Sequence, residues 1–137
     1  MQTVALPVVS ALTAGVLIIV QMLLLLLTVL ARRKARQSLG EGQDDGLLRA
    51  MRRHGNFAEN AAIFVIALAL LEMLGGRQQT VEAVAGAFVL GRLCHALGLS
   101  QTKTVNLWRT LGIVLTVASA VVVGVNLVMA ALPHLGL

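Results

Sequence analysis

Residues 47–74 read LLRAMRRHGNFAENAAIFVIALALLEML, and the stretch changes character at its middle. Its first half carries Arg49, Arg52, Arg53, His54, Asn56, Glu59 and Asn60, whereas AAIFVIALALL, from Ala61 on, is an ordinary lipid-compatible run. Arg49, Arg52, Asn56 and Glu59 are spaced i, i+3, i+7 and i+10 and so line one face of a helix, with Arg53 and His54 off that face. Glu59 lies about 15 Å along the helix from Arg49. An ionisable group near the core of a bilayer costs roughly 2.5–3.5 kcal/mol, so a lone carboxylate there binds a proton or finds a cation on another helix. The segment therefore predicts a membrane helix that needs polar partners within a bundle.

Three further apolar stretches supply those partners, as predicted helices over 7–31, 80–99 and 105–132, with 47–74 as the second of four. The first has 25 residues without a charge and, at about 1.5 Å per residue, exceeds a hydrocarbon core of roughly 30 Å. Its leucine run, Leu23 to Leu27, predicts a broad lipid-facing surface. It lacks the basic start of a signal peptide and is followed by Arg32, Arg33 and Lys34, so it is expected to be a retained helix. The third is the weakest, holding Glu82, Arg92 and His95 around a short apolar part over 83–91, and must be shielded by its neighbours. In the fourth, Gly112, Thr116, Ala120 and Gly124 recur every four residues, a small-residue stripe that permits close helix contact. Gly75-Gly76 ends the second helix, and 32–46 is a basic, then polar and glycine-rich loop.

The whole chain agrees with this reading. It has 137 residues, 58% hydrophobic and only 12% charged, with a mean hydropathy of +0.87, which places it among membrane proteins. The expected fold is an all-α integral membrane protein, an antiparallel four-helix transmembrane bundle forming a single domain over 1–137. Ten of the eleven basic residues fall beside the 32–46 and 100–104 connections, and only Arg77 falls on the other face. By the positive-inside rule those loops are cytoplasmic and both termini lie on the opposite side.

Several function classes are excluded or disfavoured. The net charge of +5 has no aromatic interleaving, so lipid headgroups and topology explain it better than nucleic acid does. Cys94 is the only cysteine, no His/Asp/Glu set has metal-ligand spacing, and no Ser-His-Asp arrangement is visible. Glu72 and Glu82 are expected at the membrane interface, Trp108 as an interfacial anchor and Cys94 as a small apolar filler.

Antiparallel packing brings the start of the second helix, the end of the third and the start of the fourth to one depth. Arg92 and His95 share a face at i and i+3, and Arg109 begins the fourth helix. Arg92 is the natural partner of Glu59, and a structural Glu59–Arg92 pair is the plainest reading. One carboxylate cannot neutralise Arg49, Arg52 and Arg92 together, however, so the surplus positive charge asks for an anion. Lipid headgroups or a multiply anionic cofactor from the cytosol would both serve.

RRHGNFAEN over 52–60, followed by GRLCHALGL over 91–99, resembles the MAPEG family, the membrane-associated proteins in eicosanoid and glutathione metabolism. The resemblance covers nearly the whole chain. It implies a left-handed four-helix bundle assembled as a trimer, with glutathione bound between adjacent subunits near the cytoplasmic side and lipophilic substrates arriving from the bilayer. Arg52, Asn56 and Glu59 match the family's Arg-x-x-x-Asn-x-x-Glu, and Arg92 and His95 its Gly-Arg-x-x-His. With Arg49 on the same face, these are the candidate glutathione-binding residues. Characterised members commonly have tyrosines near the site, and this chain has no Tyr at all. Arg109 is therefore the candidate for stabilising the thiolate. The implied activity is a glutathione transferase or peroxidase. The alternatives are a MAPEG-like bundle without catalysis and a four-span transporter with Glu59 as its proton-coupled carboxylate.

Overall fold

The computed structural model describes residues 6–101 and 106–135. Helix α1 runs over Val8–Ala35, α2 over Asp45–Glu59, α3 over Ala61–Met73, α4 over Gln78–Ser100 and α5 over Leu107–Ala131, followed by a single 3-10 turn, Leu132–Leu135. No strand occurs among the described residues. Four segments are long and apolar enough to cross a membrane: Val8–Ala35, Asp45–Met73, Gln78–Ser100 and Leu107–Leu135. The chain is an all-helical, multi-pass membrane protein. The expected 100–104 connection, and the start of the fourth helix at 105, fall partly on residues 102–105, outside the described residues.

Helix α4 occupies the middle of the bundle. It touches α1, α2, α3 and α5, while α1 and α5 do not meet. This placement explains how the least apolar span is accommodated, since Arg92 and His95 face protein rather than lipid, while Glu82 near the other end of the helix is exposed. Along α1 the buried positions Ser10, Thr13, Leu17, Leu24 and Thr28 form one stripe, and the leucines from Leu25 to Leu27 are exposed, as lipid contact requires. Leu17, Leu24, Phe57, Phe64, Leu68, Leu71, Val81, Val84, Phe88 and Val123 make the core, with the Phe64 and Phe88 rings stacked at a centroid distance of 3.7 Å. The buried hydroxyls of Thr13, Thr28, Thr116 and Ser119 each donate to the carbonyl four residues earlier, which satisfies them inside the bundle.

The closest approach is between α4 and α5, and glycine makes it possible. A Cβ on Gly112 would lie 2.5 Å from the His95 backbone nitrogen, and one on Gly98 would lie 2.6 Å from that of Arg109. The small-residue stripe of α5 thus meets α4 of the same chain, at least in its first half. Its buried line then turns from Gly112 and Thr116 to Ser119 and Val123, leaving Ala120 and Gly124 exposed. A helix of about 3.6 residues per turn drifts off a strict four-residue repeat, which is why the stripe does not continue straight.

One expectation needs correction, and one residue has a role that spacing did not give. The second span is not one helix over 47–74 but α2 and α3, hinged at Asn60. Glu72, near the end of the second span, is not solvated but buried: it is 7% exposed, and its carboxylate accepts the Val9 N–H at 3.0 Å, the Ser10 N–H at 3.0 Å and the Ser10 hydroxyl at 2.7 Å. The reason lies in α1, whose N-cap Pro7 makes no side-chain cap bond and whose first turn has no acidic residue. The open N–H groups and the positive end of the helix dipole draw the carboxylate inward. Gly75, at φ +79°, then turns the chain, with the Gly76 N–H on the Leu71 carbonyl at 2.9 Å and the Gly75 N–H on that of Glu72 at 3.2 Å. Glu72→Ala should lower stability by about 2 kcal/mol, since charge-assisted hydrogen bonds are lost to an otherwise uncapped helix. Glu72→Gln should recover only part of that loss. Thermal unfolding of the detergent-solubilised protein measures both.

Candidate functional site

The basic end of the bundle joins α2, the last turns of α4 and the first of α5. Arg53 Nη1 donates to Ser100 Oγ at 2.9 Å, tying α2 to the end of α4. Asn106 Nδ2 donates to the Gly98 carbonyl at 2.9 Å, and Asn106 Oδ1 caps α5 by accepting the Arg109 N–H at 3.0 Å. With the contacts of Gly98 and Gly112 these bonds fix the head of α5, with Arg109, against α4, while Arg92 and His95 lie on the helix that packs against α2.

Arg92 governs the local geometry. It is 4% exposed, its Nη2 donates to the Asn56 carbonyl, and its guanidinium lies 5.7 Å from the centre of the Phe57 ring. In an unbroken helix the Asn56 carbonyl would take the Asn60 N–H. Here the Asn60 N–H turns to the Ala58 carbonyl instead, and the helix resumes with the Phe64 N–H on the Asn60 carbonyl at 3.1 Å. A side chain inserted into the helical ladder is a recognised cause of a kink. The break between α2 and α3 is thus made by a residue of α4.

The other candidates divide into inner and outer groups. His95 is buried on the same face of α4 as Arg92. Asn56, Arg49 and Arg109 are half-buried, and Asn56 Nδ2 donates to the Arg52 carbonyl of its own helix at 2.9 Å. Glu59 is exposed on the surface of the chain, and so is Asn60. The Arg52 side chain is 64% exposed, with Nη2 3.9 Å from the Glu41 carboxylate in the loop. That is the one ion pair among the described residues, so the plain reading of a Glu59–Arg92 bridge is not what the structure shows. The Arg92 hydrogen bond goes to backbone instead.

Two buried polar atoms at this site, Arg92 Nε and His95 Nδ1, have no hydrogen-bond partner among the described residues. Such groups are rare in folded proteins and ask for a ligand or water. Arg49, Arg52, Arg92 and Arg109 together outnumber Glu59, so the arrangement suits an anion with polar groups that can reach inward. The sequence reading missed Phe57, the ring beneath Arg92; as the single aromatic residue in the polar half of the second span, it was a usable signal. It also missed Gly98, whose spacing of seven from Gly91 puts both glycines on one face of α4. Among the described residues, no group of His, Cys, Asp and Glu could hold a metal ion.

A family model, that of the MAPEG family, matches residues 10–129. No curated protein and no solved structure matches the chain.

Proposed function

The chain belongs to the MAPEG family, and from that premise we propose that it is a glutathione-dependent transferase or peroxidase acting on lipophilic electrophiles from within the membrane. The basic end faces the cytoplasm, by the asymmetry of its charges. The protein works as a homotrimer, with glutathione held between adjacent copies.

The observation that carries this reading is the exposure of Glu59 and Asn60 in the middle of an apolar span. A carboxylate does not face hydrocarbon. A second copy laid against this face would cover it and enclose the space between Glu59, Asn56 and Arg92.

The residues fit glutathione. Guanidinium forks at Arg49 and Arg52 suit its two carboxylates, and Glu59 can accept from its α-ammonium. Arg92 Nε offers a buried donor, and His95 Nδ1 a second polar contact, for its peptide groups. When bound, glutathione supplies the thiol that attacks an electrophile or a peroxide. Arg109, at the head of α5, favours the thiolate: a free thiol titrates near about 8.5, and an adjacent cation lowers that value. Arg92 has a further role through its hold on the Asn56 carbonyl, since the resulting break fixes where Glu59 stands on α2.

The absence of tyrosine favours a second reading, a family member that keeps the bundle and has lost catalysis. Conjugation of glutathione to a generic aromatic electrophile by the purified protein separates the two. A rate that saturates in glutathione, and falls at least tenfold in Arg109→Ala, is expected. A rate no faster than the uncatalysed reaction, with glutathione still bound, would establish the inactive bundle instead.

A further inference from the structure

The basic end has a second recess, on a different face of α2 from Arg49, Arg52, Asn56 and Glu59. It is a cavity of about 410 Å³ between the last turns of α1 and the first half of α2. About half of its wall is apolar, with Leu27 and Ala31 on α1 and Leu47 and Ala50 on α2. The Thr28 hydroxyl, 3.2 Å from the Ala50 carbonyl, holds the two helices together beside it. Two cations line the same space, Lys34 at the exposed end of α1 and Arg53 deeper along α2.

The charge in this recess is not neutralised from within. Arg53 is half-buried, its Nη1 is taken by Ser100, and its Nε is buried with no hydrogen-bond partner among the described residues. Asp44 is the one acidic lining residue, and it accepts the Leu47 N–H at 2.7 Å as the cap of α2. Neither Lys34 nor Arg53 has a carboxylate within 4.0 Å, the only such pair among the described residues being Arg52 with Glu41. Around them, residues 32–53 hold seven basic and three acidic side chains.

The position of the recess selects among anions. It lies where a membrane span meets its basic flank, and its lining residue Leu27 is 46% exposed on the outer surface of α1. A free phosphate would use the cations and gain nothing from the leucine and alanine walls. A lipid uses both, because its glycerol and acyl carbons meet the apolar walls and its chains leave over Leu27 without crossing a polar surface. Basic recesses between membrane helices on the cytoplasmic side are suited to anionic headgroups. We propose that the α1–α2 recess is a binding site for one anionic phospholipid, with its phosphate diester between Lys34 and Arg53. This assignment does not rest on the glutathione reading, because none of its residues belongs to that site.

Native mass spectrometry of the full-length protein in detergent, titrated with phosphatidylglycerol, tests it. One tightly held lipid per chain is expected, with the apparent affinity reduced about tenfold in Lys34→Gln and in Arg53→Gln, the loss of one charge-assisted hydrogen bond each. Arg36→Gln removes an equal charge outside the recess and should change affinity less than twofold. Ser100→Ala releases Arg53 from its other partner and should leave lipid binding intact, which separates a lost lipid contact from a lost helix contact. An equal loss in Arg36→Gln would overturn the proposal in favour of diffuse surface attraction. Equal binding of phosphatidylcholine, or displacement by soluble glycerol phosphate at the same concentration, would overturn it as well.

Discussion

Adding one methyl group at Gly112 is expected to destabilise the bundle by about 3 kcal/mol, the upper part of the range for overpacking a close interface. The Cβ of Gly112→Ala would stand 2.5 Å from the His95 nitrogen, 2.7 Å from its Cα and 2.7 Å from its Cβ. Backbone atoms of a central helix cannot turn aside as a flexible side chain can, so α4 and α5 must separate. The movement would also displace His95 and Arg109, and any ligand binding at the basic end should fall with it. Gly124→Ala is the matched control, since nothing lies within 4 Å of its added Cβ. It should be neutral, or stabilising by up to about 1 kcal/mol through helix propensity. Thermal unfolding in detergent, with retention in the soluble fraction after extraction, measures the pair. Equal stability of Gly112→Ala and the wild type would mean that the helices are not packed this closely.

On the proposed reading, substitutions on the α2 face have the next largest effect. Arg52→Ala removes a fork for a carboxylate and Glu59→Ala an acceptor for an ammonium, each about 1.5–3 kcal/mol of charge-assisted bonding. Glutathione affinity should therefore fall by roughly 10- to 100-fold in each. Neither change should disturb the fold, because both side chains are exposed on the single chain. Arg92→Met differs in kind. It removes the guanidinium that holds the Asn56 carbonyl, so the Asn60 N–H is free to close the helical ladder. Slower hydrogen exchange at Asn60, together with weakened glutathione binding, is the expected signature. A ligand contact alone would leave the Asn60 amide unchanged.

Much of the architecture was legible because it rests on local sequence. Four apolar stretches, the Gly75-Gly76 stop and the unequal distribution of arginines each speak without reference to the rest of the chain. Antiparallel order likewise placed α4 beside both α2 and α5, but α2 and α5 do not touch each other. What stayed hidden depends on pairs distant in sequence. The hinge at Asn60 is produced by Arg92, and periodicity within residues 47–74 holds no trace of it. The capping role of Glu72 also stayed hidden, because it depends on Pro7 leaving α1 without a cap, a relation across 62 residues between Ser10 and Glu72. The stripe Gly112, Thr116, Ala120 and Gly124 was half right, since helical drift carries its buried line to Ser119 and Val123. The burial of Arg92 stayed hidden too, because spacing gives a face and not what covers it.

Calorimetric titration of the detergent-solubilised wild-type protein with glutathione decides whether the tripeptide binds. The expected result is a saturable heat of binding at millimolar glutathione or below, lost in Arg52→Ala and in Glu59→Ala. A wild-type protein that is folded and oligomeric, yet gives no heat across the millimolar range, would contradict it.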